Sequence, residues 1–198
     1  MRRTLKSEIQ DTKEWDQLFS QKKFKDKGYS WRNKDYKYLS KFLKLSVFEG
    51  TLLDVGCAFG DGLIYFKNKS PKITEFSGCD LSSHVINICK QNNKLEKFNF
   101  FTCDITKPLN KKYDIIICLQ TIEHVLDPIS AIDNLIKATN KMLIISVPYK
   151  NRRSGKSHLW YFDENDFQDL FDFYVLDQKN KHEEYRNIFW IKEMRNDD

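Results

Sequence analysis

The side chains best placed for chemistry are carboxylates that close apolar runs. Asp54 lies near the end of TLLDV, Asp80 closes EFSGCD, and Asp104 follows FNFFTC. A carboxylate offers two acceptor oxygens in a geometry that suits a vicinal diol. Gly56, Gly60 and Gly62 come directly after Asp54, so the chain can turn sharply there and a ligand can approach the backbone. The turn lacks the G-x-G-x-x-G spacing of a dinucleotide site, because Ala58 and Asp61 stand at the second and third glycine positions counted from Gly56. Asp54 and Asp61 would repel a pyrophosphate at the next helix N-terminus and attract an ammonium or sulfonium centre instead. Further on, Gln120, Glu123 and His124 are spaced to share one helical face, and His158 follows the next apolar run. An imidazole titrates near neutrality and suits proton removal.

Alternating strands and helices must position these groups. Apolar runs predict strands over 51–55, 74–80, 98–103, 113–119 and 142–147, the fourth unbroken as in a central strand buried on both faces. Helices are predicted over 61–69, 82–91 with Ser82 as N-cap, 128–139 with Pro128 in the first turn, and 164–171 with Asp163 as N-cap. Residues 172–178 and 187–192 read as a closing antiparallel pair. This order is that of an α/β, doubly wound sheet, whose ligands sit at the carboxyl ends of the strands. Asp80 follows Gly60 by 20 residues, where an acid can accept from both ribose hydroxyls. Residues 1–48 are rich in lysine and aromatics, with helical spacing at Trp15, Leu18 and Phe19 and again at Leu39, Phe42 and Leu43. The aromatics there either pack over a sheet edge or form a lid, with Tyr29 or Trp31 reaching the site.

Within that frame, residues 54–60 resemble the first motif of class I S-adenosylmethionine (SAM) methyltransferases, D-x-G-x-G-x-G. Asp54, Gly56 and Gly60 match, and Ala58 replaces the middle glycine. The resemblance spans roughly residues 45–192. It implies a Rossmann-like seven-stranded sheet with one antiparallel strand and helices on both faces. A helical lid over 1–48 would precede a single methyltransferase unit over 49–198. It also implies that Asp54, Gly56, Cys57, Ala58 and Gly60 contact the donor, with Asp80 and Leu81 at its ribose. Asp104 and Ile105 would meet the adenine, and Gln120 would complete the site, although Asp104 also reads as a plain turn residue.

The segment IEHVLDP resembles small-molecule and ubiquinone-type O-methyltransferases. Such an enzyme mainly positions the acceptor and helps remove its proton. His124 and His158 are the candidate bases, with Glu123 beside them, whereas His84 and His182 read as surface or packing residues. Some members of the superfamily, including a group of RNA 2′-O-methyltransferases, hold a divalent metal through E-x-x-E-H and a distant histidine. Gln120, Glu123, His124 and His158 occupy the matching positions, and mixed N and O ligands would suit Mg²⁺ or Mn²⁺. A purely structural Glu-His pair is the third reading.

Composition narrows the partner. With 198 residues and a net charge of +5, the chain is large enough for one cored domain and mildly basic. Arg152, Arg153 and Lys156 form a short cluster that is either a solvated loop or a clamp for a phosphate. No long basic stripe accompanies it, which favours a small anionic acceptor over a nucleic acid. By analogy with the methyltransferases it resembles, together with the basic loop, a nucleotide-linked sugar of a surface polysaccharide pathway is the expected acceptor. A non-catalytic SAM-binding module is the rival class. No run of roughly 18 apolar residues occurs, so a cytoplasmic protein without membrane spans is expected. Five cysteines at irregular spacing suggest reduced, buried thiols, with a zinc site or a nucleophile as the lesser reading.

Overall fold

A computed structural model describes residues 2–3, 11–21, 32–149, 157–179 and 184–194. Tyr29, Trp31, Arg152, Arg153, Lys156 and His182 lie outside the described residues. Helices α1 (Thr12–Ser20) and α2 (Arg32–Phe42) precede the main sheet. The chain then alternates through β1 (Glu49–Val55), α3 (Asp61–Lys67), β2 (Lys72–Asp80), α4 (Ser83–Gln91), β3 (Asn99–Thr102) and β4 (Tyr113–Leu119). It ends with α5 (Pro128–Ala138), β5 (Thr139–Pro148), β6 (Asp172–Lys179) and β7 (Glu184–Glu193).

These strands form one seven-stranded sheet in the order β3-β2-β1-β4-β5-β7-β6. All neighbours are parallel except β7, which runs antiparallel to both β5 and β6. The doubly wound sheet with one reversed strand is therefore observed. A separate two-residue ladder pairs Arg2–Arg3 with Trp160–Tyr161.

Alternation along the strands separates two cores. Leu52, Ile115, Ile117, Ile144 and Phe189 face one side, where they meet Tyr36 and Leu39 of α2, Leu63 and Phe66 of α3, and Ile86 of α4. Leu53, Ile116, Leu143, Ile145 and Trp190 face the other, against Ala131, Ile132 and Leu135 of α5. Side chains of period two in a sheet covered on both faces must be apolar at nearly every position. That is why YDIIICL is apolar at every position but Asp114. Helix α2 thus joins a sheet face rather than an edge.

One predicted element is absent. Residues 164–170 form successive turns, with no helix over 164–171. Asp163 accepts from Asn165 N at 3.0 Å, and Asp166 Oδ2 accepts from Asp163 N at 2.9 Å; these are bonds that a helix start also makes, so they do not by themselves end it. Phe167 is left-handed, with φ 63°, which ends any helical run in L-residues.

Candidate active site

The turn after β1 is fixed by three contacts. Cys57 N donates to Cys79 O, Gly60 N to Cys57 O, and Ala58 N to Asp80 Oδ2, each at 3.0 Å. Gly56 has φ 68°, and a Cβ there would fall 2.2 Å from Thr121 Oγ1, so a larger residue would be strained and would have to displace the Thr121 side chain. Ala58, in the middle-glycine position, keeps the left-handed turn at φ 46°, a conformation that costs L-alanine about 1–2 kcal/mol. The turn geometry of the glycine motif is retained despite the added methyl group.

The three strand-tip aspartates end in different surroundings. Asp54 is buried at 1% exposure, accepts from the Tyr36 hydroxyl at 3.1 Å, and stands behind the cavity wall rather than in it. Asp80 faces the cavity while its two oxygens accept from Ala58 N at 3.0 Å and Ser82 N at 2.9 Å, which aims the carboxylate. Asp104 also faces the cavity; its Oδ1 accepts from Thr106 N and Thr106 Oγ1 at 3.0 and 2.7 Å, the turn bonding expected of an aspartate.

Asp80 and Asp104 share a cavity of about 470 Å³ at the carboxyl end of the sheet, within the size range of small-molecule sites. Gly56, Leu81, Ile105 and Gln120 also contribute to its wall, whereas Cys57, Ala58 and Gly60 do not line it. Gln120 adopts φ 51° and is fixed by its backbone to Ser146 O at 2.8 Å and by its amide to Ser146 Oγ at 3.2 Å.

The opposite wall is α1, which supplies Asp11, Thr12, Trp15 and Phe19. A capping box starts this helix: Glu14 N donates to Asp11 Oδ1, and Asp11 N donates to Glu14 Oε2. Asp16 then anchors it. Its carboxylate accepts from Ser82 Oγ, from Ser83 Oγ at 3.0 Å and from His84 N at 3.1 Å, meeting the open amide end of α4. The helical spacing of Trp15, Leu18 and Phe19 pointed to this helix in sequence, and the D-x-x-E pattern at Asp11 is a local signal that could have fixed its start. Nothing local signalled the partner of Asp16, which is 66 or more residues away.

His124 lies in a 3₁₀ turn (Ile122–His124) after β4 and faces the cavity. Its Nδ1 is 2.8 Å from Ser157 O, so Nδ1 must carry the hydrogen and Nε2 the lone pair of the neutral ring. Nε2 is 3.8 Å from Glu123 Oε1, a carboxylate at 1% exposure. The His158 ring stands edge-on at 4.8 Å, behind His124 and outside the cavity wall. Burial holds His158 below its ordinary value, which favours the neutral ring. Leu159 N donates to Glu123 O and Trp160 Nε1 to Val125 O, both at 2.7 Å, and these bonds tie the two histidine segments together.

A family model described as a methyltransferase domain matches residues 17–179. The chain belongs to that family. Its fold is that of the class I SAM-dependent methyltransferases. The N-methyltransferase NodS of Bradyrhizobium japonicum WM9, solved with S-adenosylhomocysteine, superposes with a TM-score of 0.67 at 15% identity, covering 91% of this chain and 97% of that one. The magnesium protoporphyrin IX methyltransferase of Synechocystis PCC 6803, also with the spent donor, gives 0.62 at 18% identity, covering 90% and 92%. Among curated proteins, a ubiquinone biosynthesis O-methyltransferase of Rickettsia typhi is 29% identical over 154 residues, 67% of this chain and 61% of that protein. The chain thus spans about six-tenths of that relative's length.

SAM carries a ribose diol, an adenine and a cationic end. The cavity presents the Asp80 carboxylate, the Asp104 carboxylate with Leu81 and Ile105 as apolar surface, and the glycine turn at Gly56. The donor set fits the group. The ligand atoms of Glu123, His124 and His158 lie within 4.8 Å of one another, the one such cluster among the described residues. Two imidazoles and a carboxylate are competent first-row ligands. Among the described residues, no helix is long and apolar enough to cross a membrane.

Proposed function

We propose that this chain transfers a methyl group from SAM to a hydroxyl oxygen of a small molecule. The observation that carries the reading is the placement of Asp80, Asp104 and His124 in the wall of one cavity. When bound, SAM supplies an electrophilic methyl group on a good leaving group. The protein's part is orientation and proton transfer. Asp80 holds the ribose diol, already aimed by its two amide bonds. Asp104 and Ile105 take the adenine, and Gly56 admits the amino-acid end. Asp54 acts through Tyr36 and the turn rather than by contact. His124 Nε2 accepts the acceptor's proton, while Ser157 O fixes the tautomer. Glu123 stabilises the imidazolium that results. His158, kept neutral by burial, adds no competing positive charge beside it.

For the acceptor we put forward a small anionic hydroxyl compound, with a nucleotide-linked sugar as first choice. Its support is the net charge of +5 and the basic cluster at Arg152, Arg153 and Lys156. A phenolic acceptor is the competing choice, favoured by the apolar wall of Trp15, Val125 and Leu126 next to His124. Methyl transfer from labelled SAM to a panel of nucleotide sugars and phenols tests both. Tight S-adenosylhomocysteine binding without turnover on any acceptor would instead point to a non-catalytic module.

A second reading rests on the Glu123, His124 and His158 cluster. There a divalent ion would gather vicinal hydroxyls, as in an RNA 2′-O-methyltransferase. Gln120, bonded to Ser146, brings an amide where that reading wants a carboxylate. Direct Mn²⁺ titration by calorimetry distinguishes this reading from a metal-free histidine base.

A further inference from the structure

Two thiols face the cavity, and methyl transfer uses neither. Cys79 is the penultimate residue of β2, next to Asp80, and Cys103 follows β3, next to Asp104. The strands are parallel neighbours, with Cys79 opposite Phe101 and Asp80 opposite Thr102, and Cys103 N donates to Asp80 O at 3.0 Å. Residues two apart along a strand share a face, so Cys103 falls on the side of the sheet that Cys79 occupies. Both contribute to the cavity wall. Cys79 is fully buried, and Cys103 is partly open. The other cysteines differ. Cys57 and Cys89 direct their thiols at Ala58 O, Cys118 is buried in the sheet, and all three are outside the cavity wall.

We propose that Cys79 and Cys103 are an oxidisable thiol pair, a modification site whose disulfide closes the cavity to SAM. Cys103 is the point of entry. The neighbouring Cys79 thiol holds it below its ordinary value, while Cys79, next to Cys103 and buried, is held well above its own. The thiolate is the reactive form. With hydrogen peroxide as oxidant, Cys103 sulfur attacks one peroxide oxygen, the O–O bond breaks, and a sulfenic acid and one water result. Cys79 sulfur then displaces the hydroxyl from Cys103 sulfur, and its proton leaves with that oxygen as the second water. Two thiols and one peroxide give one disulfide and two waters.

A disulfide requires sulfurs about 2.05 Å apart and Cα atoms about 4.4–6.8 Å apart. In this register the two cysteines are diagonal neighbours on adjacent strands, about 7–8 Å apart at Cα, so closing the bridge must shift the tips of β2 and β3 relative to one another. Asp80 and Asp104, one residue beyond each sulfur, move with them. The consequence for ligand rests on the reading that this cavity takes SAM. By linkage, bound donor should shield the pair from oxidation.

The test treats the protein with hydrogen peroxide, maps its peptides by mass spectrometry, and titrates S-adenosylhomocysteine before oxidation, after it, and after dithiothreitol. The expected result is a Cys79–Cys103 linked peptide and a loss of affinity of roughly tenfold or more, reversed by reductant. Cys103→Ser should be insensitive to peroxide, and Cys118→Ser should respond as the wild type does. No bridge, a bridge between other cysteines, or unchanged affinity in the bridged protein would overturn the proposal. If the reduced protein bound no S-adenosylhomocysteine, the functional reading would fail. The peptide map would then uphold or overturn the modification site by itself.

Discussion

The Trp15 indole stands edge-on to the His124 imidazole, with ring centroids 5.1 Å apart. Helix α1 therefore closes the cavity directly over the candidate base. Trp15→Ala should speed S-adenosylhomocysteine dissociation by roughly tenfold, because the wall that must move has lost its largest contact. Stopped-flow displacement measures this rate. An unchanged rate would show that α1 does not gate exchange.

Asp16 is the anchor of that wall. Asp16→Asn weakens three hydrogen bonds to the head of α4 and removes a negative charge from a helix N-terminus, a loss of about 1 kcal/mol. The melting temperature should fall slightly. Dissociation of the spent donor should again accelerate, with the equilibrium structure of α4 retained by circular dichroism. A variant that melts lower but releases ligand at the normal rate would separate the cap from the gate.

Asp80→Asn should weaken S-adenosylhomocysteine binding by roughly tenfold or more, since an amide can accept on only one side of a diol. The Ala58 and Ser82 amides lose part of their acceptor as well, so thermal stability should be followed in parallel. Native affinity in a folded variant would remove Asp80 from the ribose role.

His158 links stability to pH. Burial lowers its folded-state value from the reference of 6.5, so the unfolded chain takes up this proton first as the pH falls. The contribution to stability is complete above about pH 6.5 and is lost below it. His158→Gln should therefore melt with less dependence on pH between about 5 and 7 than the wild type does. Thermal scans across that window decide the point.

Chelation separates the two catalytic readings. With a histidine base and no metal, turnover after treatment with EDTA should stay within about twofold of the untreated rate. Loss of activity restored by Mn²⁺ alone would favour the metal reading.

Much of the frame was legible in the sequence because it follows from local periodicity. YDIIICL and MLIISV are apolar at every position but one, Asp114 and Ser146, and became adjacent central strands, with the β7–β6 pair closing the sheet beyond them. Ser82 caps α4 as its position suggested, through Val85 N at 3.3 Å. The region 164–170 misled because Asp163 has the same local signal whether a helix or an Asx turn follows. There Phe167 packs against Phe162 and Trp190, and the contact accompanies a left-handed backbone that no pattern of residue types reveals.

The sequence by itself determined the order of the sheet's strands and of the helices as far as α5, the glycine turn and the set of acids at the strand tips. Each depends on residues near one another in the chain. Only the tertiary structure decided which groups share a cavity. It placed Asp54 behind the wall with Tyr36, brought α1 across the site through Asp16, and stacked His158 behind His124. Those pairings join segments far apart in sequence. Their geometry is set by how the whole sheet twists and packs, and no local pattern carries that information.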